Sequence, residues 1–412
     1  MEKAILIGLD LGNDEFFDET MEELSNLAIA CNVEVLDTMI QRKEASTPNF
    51  LIGKGKVDEL KSLVVLHDAN VVIFNDELSP SHIRNLEEKL EIKVIDRTVL
   101  ILDIFARRAK TKEAMLQVEL AQSEYMLPRV VGMYKSLSRQ KSGTGSKGPG
   151  EQQLELDRRL LRGKITKLKR DLKDLVQIRR TQREKRLTSL VKTVALAGYT
   201  NSGKSSIMNA IINHTTHPEK TPTFAKDMLF ATLETKTRLI DLENNNNFLL
   251  TDTVGFIRKL PHDLVEAFKS TLEEINEASL ILHVIDTANP NYEYQIQAVE
   301  NVLSEIGIKD IPVIYVFNKI DLLNDFPIIT RENSIFVSAK DDINIDKLIL
   351  LTGKELYKSF PVNMIIPFKN SDVFSNLKEN SKIIKTSYLE DGIHVKAEIS
   401  DYYYHKYKKY LN

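Results

Sequence analysis

The sequence predicts a multidomain α/β protein, and three observations carry that reading. Residues 1–107 alternate strand and helix. Residues 108–190 hold two amphipathic helices around a glycine-rich segment, and residues 191–358 return to buried strands, each leading into a loop or helix. A last stretch, 359–412, alternates like a small sheet with an aromatic end. The expected architecture is an N-terminal parallel α/β domain, a long α-helical hairpin, a second domain with a mainly parallel sheet, and a small C-terminal α/β appendage.

In the first domain, "AILIGL", "VEVLDTMI", "NVVIFN" and "KVIDR" read as strands. Helices are expected around Asp18–Cys31, Lys56–Leu66 and His82–Leu90. The third has a start signal, with Ser79 as N-cap and Pro80 at the first helical position. "LIGKGKVDEL" sets Gly53 and Gly55 before a helix, a turn that serves as a tight strand–helix connection or as an anion site.

From Arg108 the pattern changes. "KEAMLQVELAQSEYMLPR" reads as a helix ending near Pro128. A second helix carries Leu154, Leu161, Ile165, Leu168, Leu172 and Leu175 at spacings of a heptad seam. Together they predict an antiparallel hairpin. Between Arg107 and Leu190, 22 Lys/Arg face 9 Asp/Glu, whereas the chain as a whole has a net charge of −3. The tip, with Arg129, Lys135, Arg139, Lys141 and Lys147 among glycines and serines, suits a phosphate-rich partner such as folded RNA; a plain linker is the competing reading.

The chemistry begins at "VALAGYTNSGKSS". A hydrophobic strand leads into Gly198, Tyr199, Thr200, Asn201, Ser202, Gly203, Lys204 and Ser205, and a helix opens there. This is the phosphate-cradling loop GxxxxGK[ST] in its required strand–loop–helix context, with Lys204 for the outer phosphates and the Ser205 hydroxyl for Mg²⁺. "NFLLTDTVGF" then gives Asp252 at a strand end, followed by Thr253, Val254 and Gly255, whose N–H suits a γ-phosphate. "VFNKID" provides Asn318, Lys319, Ile320 and Asp321. The Asp321 carboxylate accepts two hydrogen bonds from guanine, which adenine has no donors to make. "VSAK" adds Ser338, Ala339 and Lys340, with a backbone N–H for guanine O6. Four such elements in order indicate a guanine-nucleotide site. For the threonine that joins Mg²⁺ beside the γ-phosphate, Thr232 in "LFATLE" is the best placed of Thr216, Thr221, Thr223, Thr232 and Thr235.

These motifs, with "IGKGKVDEL", "DELSPSHIRNLE", "LSRQ", "GPGEQQLELDRR" and "DTVGFIRKLPHDLVEAFKSTLEE", resemble the HflX family of ribosome-associated P-loop GTPases over nearly the full length. The resemblance implies Mg²⁺-dependent hydrolysis of GTP to GDP, with Lys204, Thr232 and Gly255 central to catalysis and Ser205, Thr232 and Asp252 around the metal. It makes Leu229, Phe230, Ala231, Thr232 and Leu233 the first switch. It also implies binding to the large (50S) ribosomal subunit and its rRNA, and dissociation of stalled or idle 70S ribosomes under stress. The tip departs from the family's more glycine-rich pattern, carrying "KSGTGSKG" after "LSRQ".

One residue raises a question of mechanism. Phe256 stands where many GTPases keep a water-positioning glutamine, and a phenyl ring makes no such hydrogen bond. Either the partner or, as likeness to potassium-dependent GTPases implies, K⁺ held through Asn201 is expected to supply what is missing; a loop-shaping Asn201 is the competing reading.

In the C-terminal region, "VNMIIPF", "SKIIKTSYLE" and "GIHVKAEIS" read as strands with a turn at Asp391-Gly392, and "DYYYHKYKKYLN" as a short helix packed on them. No apolar run nears the roughly 20 residues of a membrane span, and a lone cysteine, Cys31, rules out an internal disulfide or a cysteine-built zinc site. A cytoplasmic monomer is expected. The alternatives are a large-subunit assembly factor and, from another class, an RNA-remodelling ATPase using the N-terminal glycine turn.

Overall fold

The computed structural model describes residues 1–134, 149–187, 191–214, 236–241, 247–258, 275–308, 310–323, 331–357 and 359–411. The first sheet is built from β1 (Glu2–Asp10), β2 (Val33–Arg42), β3 (Val71–Phe74) and β4 (Lys93–Asp96) in the order β2-β1-β3-β4, all parallel. Helices α1 (Phe17–Ala30), α2 (Lys54–His67) and α3 (Pro80–Leu90) fall within a few residues of expectation. Both sheet faces are covered, so two apolar clusters form, one around Leu24 and Phe105 and the other around Leu60 and Phe74. Ser79 caps α3 by accepting from His82 N at 3.2 Å. The reverse bond of this capping box runs from Ser79 N to His82 Nδ1.

Helix α4 (Arg97–Arg108) was not expected from the sequence. Its "TVLILDIF" is apolar on nearly every side, so helical periodicity is hidden. Asp96 starts it by accepting from Val99 N at 3.2 Å.

The hairpin consists of α5 (Lys112–Tyr134) and α6 (Pro149–Leu187), packed side by side and crossed by Lys164–Glu119 and Lys169–Glu124 pairs at 2.8 and 2.7 Å. Leu168 is buried, and Leu161, Ile165, Leu172 and Leu175 are half-buried.

Two expectations are corrected here. The helix does not end at Pro128 but runs through it to Tyr134. Tertiary bonds on either side outweigh the lost helical hydrogen bond: Tyr125 Oη donates to Asp96, and Arg129 Nη2 donates to Asp96 Oδ2 and Leu78 O, both at 3.1 Å. Arg129 is therefore buried in that anchor, its guanidinium stacked on Tyr125, and is not part of a basic tip. Lys135, Arg139, Lys141 and Lys147 lie outside the described residues.

The second sheet has six strands in the order β10-β9-β8-β5-β7-β6. They are β5 (Lys192–Ala197), β6 (Lys236–Ile240), β7 (Phe248–Asp252), β8 (Leu280–Asp286), β9 (Val313–Asn318) and β10 (Ser334–Phe336). Only β6 pairs antiparallel. Helices α7 (Lys204–Asn213), α8 (Tyr292–Glu305) and α9 (Ile345–Leu356) flank it. The chain leaves β5 towards β7 on one side and later fills β8 on the other, so the end of β5 is a topological switch point, where open parallel sheets bind ligands.

The C-terminal sheet is antiparallel, in the order β11-β13-β12, from β11 (Ser359–Ile366), β12 (Lys382–Leu389) and β13 (Gly392–Ser400). Helices α10 (Ser371–Asn380) and α11 (Asp401–Lys406) accompany it. Leu377, Tyr407 and Tyr410 pack on the Val395 face, as the aromatic tail suggests.

Candidate nucleotide-binding site

The loop Gly198–Ser205 follows β5 and turns into α7. Gly203 has φ 92°, and a Cβ there would sit 2.2 Å from Asn318 Nδ2. A Cβ on Gly198 would sit 2.2 Å from Val284 O. Both glycines are needed for space as well as for backbone freedom. Asn201 is exposed at φ 62°, a left-handed position that asparagine tolerates.

Lys204 is buried, and its Nζ donates to Gly198 O at 3.0 Å and Tyr199 O at 2.8 Å. Burial pushes its ammonium down to about 8, against a smaller opposing pull from Asp252. A cation held in this way, at a helix N-terminus, is poised to gain from an anion. Ser205 Oγ donates to Asp252 Oδ2 at 2.7 Å. Thr200 Oγ1 and Ser202 Oγ are buried with no partner among the described residues. The first amides of α7 have no helical acceptors.

That donor set fits Mg²⁺ only when phosphate is present. Among the described residues no group of three or more His, Cys, Asp or Glu could hold an ion unaided. One hydroxyl and one carboxylate are what magnesium accepts when phosphates and water complete its octahedron. Thr232, together with Leu229, Phe230, Ala231 and Leu233, lies outside the described residues.

The residues read as a base site, Asn318–Asp321 and Ser338–Lys340, lie together in the structure. Ser338 Oγ donates to Asp321 Oδ1 at 2.7 Å, and Lys340 Nζ lies 3.8 Å from Asp321 Oδ2. Lys319 is extended by Asp286 at 2.7 Å, and Ile320 is buried in a short 3₁₀ turn. Asn318, read as a contact to the base edge, instead spans two loops here: Nδ2 donates to Ser202 O at 3.0 Å, and Oδ1 accepts from Ala339 N at 3.1 Å. Of the Ser338–Lys340 amides, one of which was expected to meet O6, that of Ala339 is thus engaged by Asn318.

The segment after Asp252 lies against the phosphate loop. Thr200 N donates to Phe256 O at 2.7 Å, and Phe256 N donates to Gly198 O at 3.1 Å. A Cβ on Gly255 would meet Thr200 and Lys204. Thr253 Oγ1 is turned to Leu196 O at 2.6 Å. The Phe256 ring is buried among Tyr199, Ile275 and Ile281, away from any role in aligning water.

The same segment grips the N-terminal unit, which sequence reasoning missed. Val254 and Ile257 join the cluster of Leu24 and Phe105. Arg258 donates to Phe16 O at 3.0 Å and Asp14 Oδ1 at 2.7 Å, with its guanidinium 4.2 Å over Tyr294. Tyr199 Oη donates to Glu23 Oε1 at 2.9 Å and accepts from Arg258 N at 2.8 Å. Arg97, buried and ion-paired with Glu23, reaches Arg258 O at 3.2 Å. These contacts fall on the segment that follows β1 and on α1, on the side where the chain leaves the first sheet's central strand.

Three family models match in series. "GTP-binding GTPase N-terminal" covers 18–106, "GTP-binding GTPase Middle Region" 108–186 and "50S ribosome-binding GTPase" 193–319. The chain is 45% identical over 400 residues to GTPase HflX of Caldanaerobacter subterraneus subsp. tengcongensis, spanning 97% of this chain and 91% of that relative. The chain belongs to the HflX family of GTPases. GTPase HflX of Escherichia coli K12 is 43% identical over 353 residues, 84% of this HflX-family chain and 81% of the relative. Among solved structures, a GTP-binding protein from Sulfolobus solfataricus in complex with GDP aligns with a TM-score of 0.45 at 24% identity, over 86% of this chain and 99% of that one.

Proposed function

We propose that this HflX-family GTPase binds the large ribosomal subunit in its GTP form, separates stalled or idle 70S ribosomes under stress, and is released after hydrolysis. The observation that carries the reading is the double engagement of residues 253–258, bonded to the phosphate loop on one side and to Asp14, Phe16 and Glu23 through Arg258 and Tyr199 on the other. A γ-phosphate that moves Gly255 changes the hold on the N-terminal unit and, through the Asp96–Arg129 anchor, on the hairpin. The working division is 1–107, a basic hairpin over 108–190, a GTP-binding domain over 191–358 and an appendage over 359–412.

In the site, Lys204 and the loop amides hold the phosphates, Asp321 and the Ser338–Lys340 loop select guanine, and Thr232 completes the metal's ligands. Ser205, Thr232 and Asp252 would hold Mg²⁺, which would offset charge on the phosphates when bound. Phe256 leaves the attacking water without a side-chain guide. Contacts from the ribosome supply that order, help worth roughly 10³–10⁵ in rate when an arginine finger gives it. Asn201 would hold K⁺, which would add positive charge there; equal turnover in K⁺ and Na⁺ at one ionic strength would remove this part.

The deciding experiment is GTP turnover in K⁺ buffer, with and without large subunits, for the whole protein and a variant lacking residues 138–150. Stimulation that disappears with the loop supports the reading. Equal stimulation of both proteins means the tip has no part in activation, and none for either removes ribosomal activation.

A further inference from the structure

The C-terminal sheet carries a charge arrangement that its own fold does not explain. Val362 and Met364 of β11, with Val395 and Ala397 of β13, face the helices and are buried. Alternate residues face away: Asn363 on β11, Lys396 and Glu398 on β13, and Lys382 and Lys385 on β12. The register sets Lys385 directly opposite Lys396, with Asn363 on the other flank of Lys396. Like charges so placed destabilise a sheet. Glu398 neutralises Lys382 at 3.2 Å, but neither Lys385 nor Lys396 has an acidic partner among the described residues.

Lysines and a bulge on the edge strand β12 are ordinary protection against edge-to-edge pairing. That explanation fails for Lys396, because β13 is the central strand, paired on both sides.

We propose that this open face binds the phosphate backbone of RNA. The row Lys385–Lys396–Asn363 presents two ammonium groups and an amide across the three strands, all three residues exposed. Its central strand turns no apolar side chain outward between His394 and Glu398, unlike the middle of a protein–protein interface, and Ile365 on β11 is only half-buried at its side. No phenyl or phenol ring alternates onto the face, and its one imidazole, His394, is half-buried and paired with Asp391, so phosphates are the matching ligand. The face works independently of the hairpin tip; that its natural RNA belongs to the large subunit rests on the proposed function.

The test compares the full-length protein, a Lys385→Ala/Lys396→Ala variant and a Lys369→Ala/Lys378→Ala control from the same region. Binding to a duplex RNA and to large subunits is followed across a salt series. The expected result is a slope of log K against log salt shallower by about 1.5 for the first variant, at roughly 0.7–0.9 per phosphate contact. The control keeps its slope, and the first variant melts no lower than wild type because a like-charge pair has been relieved. An unchanged slope on both probes overturns the proposal and leaves the lysines as edge protection. A loss confined to subunits, with duplex RNA unaffected, also overturns it and points to a ribosomal protein. Wild type that binds no RNA overturns it outright. Wild type that binds duplex RNA but not subunits sinks the ribosome reading, while the variant's slope still judges this face.

Discussion

Two turns in this molecule look alike in sequence and differ in physics. "IGKGK" and "TNSGKS" each bring glycine and lysine to the start of a helix, the first eleven residues after β2 and the second directly after β5. At the second, the polar groups behind the turn are buried: Lys204 Nζ donates to two carbonyls, Thr200 and Ser202 hydroxyls lack partners among the described residues, and Ser205 leans on Asp252. At the first, Gly53 N already donates to Gln41 Oε1 at 2.8 Å, and Lys54 is exposed to water. A glycine turn becomes a ligand site when the fold has desolvated charge behind it. That contrast weighs against a nucleotide pocket at the N-terminal turn.

The largest expected effect sharpens the contrast at the base. Asp321→Asn exchanges an acceptor pair for a mixed donor and acceptor, which should reverse preference from guanine towards xanthine nucleotides by about 10³ or more. Competition binding with GTP and XTP reads it, and unchanged guanine selectivity would break the assignment of Asp321. Next, Lys204→Ala removes a charged hydrogen-bond donor worth ~1.5–3 kcal/mol, so GTP affinity should fall about 10- to 100-fold by equilibrium binding. Lys54→Ala should leave it unaltered, and equal losses from both variants would erase the difference between the turns.

How much of this was legible in the sequence follows the same line. The loops of the proposed nucleotide site stand out in the sequence because each sets particular residue types at fixed spacing after a strand, and three strand–helix units of the first sheet could be read from apolar alternation. What could not be read depends on partners distant in the chain. Pro128 signals a helix end locally, yet Asp96, over thirty residues earlier, holds Tyr125 and Arg129 across it. Arg258 carries no motif, and its partners Asp14 and Phe16 precede it by more than 200 residues. Asn318 was read for its base-facing chemistry, whereas its carboxamide spans the distance between two loops.

A third prediction concerns the strand beside the phosphate loop. His283 on β8 is buried, and burial, with Arg331 and Lys204 adding to it, pushes its imidazole down to about 3. The folded value lies below the unfolded one, so the unfolded chain binds the extra proton and stability falls as pH drops through 6.5 towards 3. The loss amounts to about 3 kcal/mol by pH 4. His283→Gln should flatten that limb of the stability–pH curve by one proton, measured by urea unfolding from pH 7 to 4. An unchanged slope would mean that His283 is not the group that makes this region acid-sensitive.

The smallest effect is the most direct probe of the contrast, because it asks each turn the same question. At Gly203, alanine would need a left-handed backbone and would drive its Cβ into Asn318, so Gly203→Ala should lower both stability and GTP affinity. At Gly55, inside the first turn of α2, an added Cβ meets nothing within 4 Å and φ is not left-handed. Gly55→Ala should therefore stabilise the protein by ~0.5–1 kcal/mol, chiefly by restricting the unfolded chain. Nucleotide binding should not change. Should Gly55→Ala instead abolish adenine-nucleotide binding by the full-length protein, the N-terminal turn would be a working site. Buried charge behind a turn would then no longer separate a site from a connection.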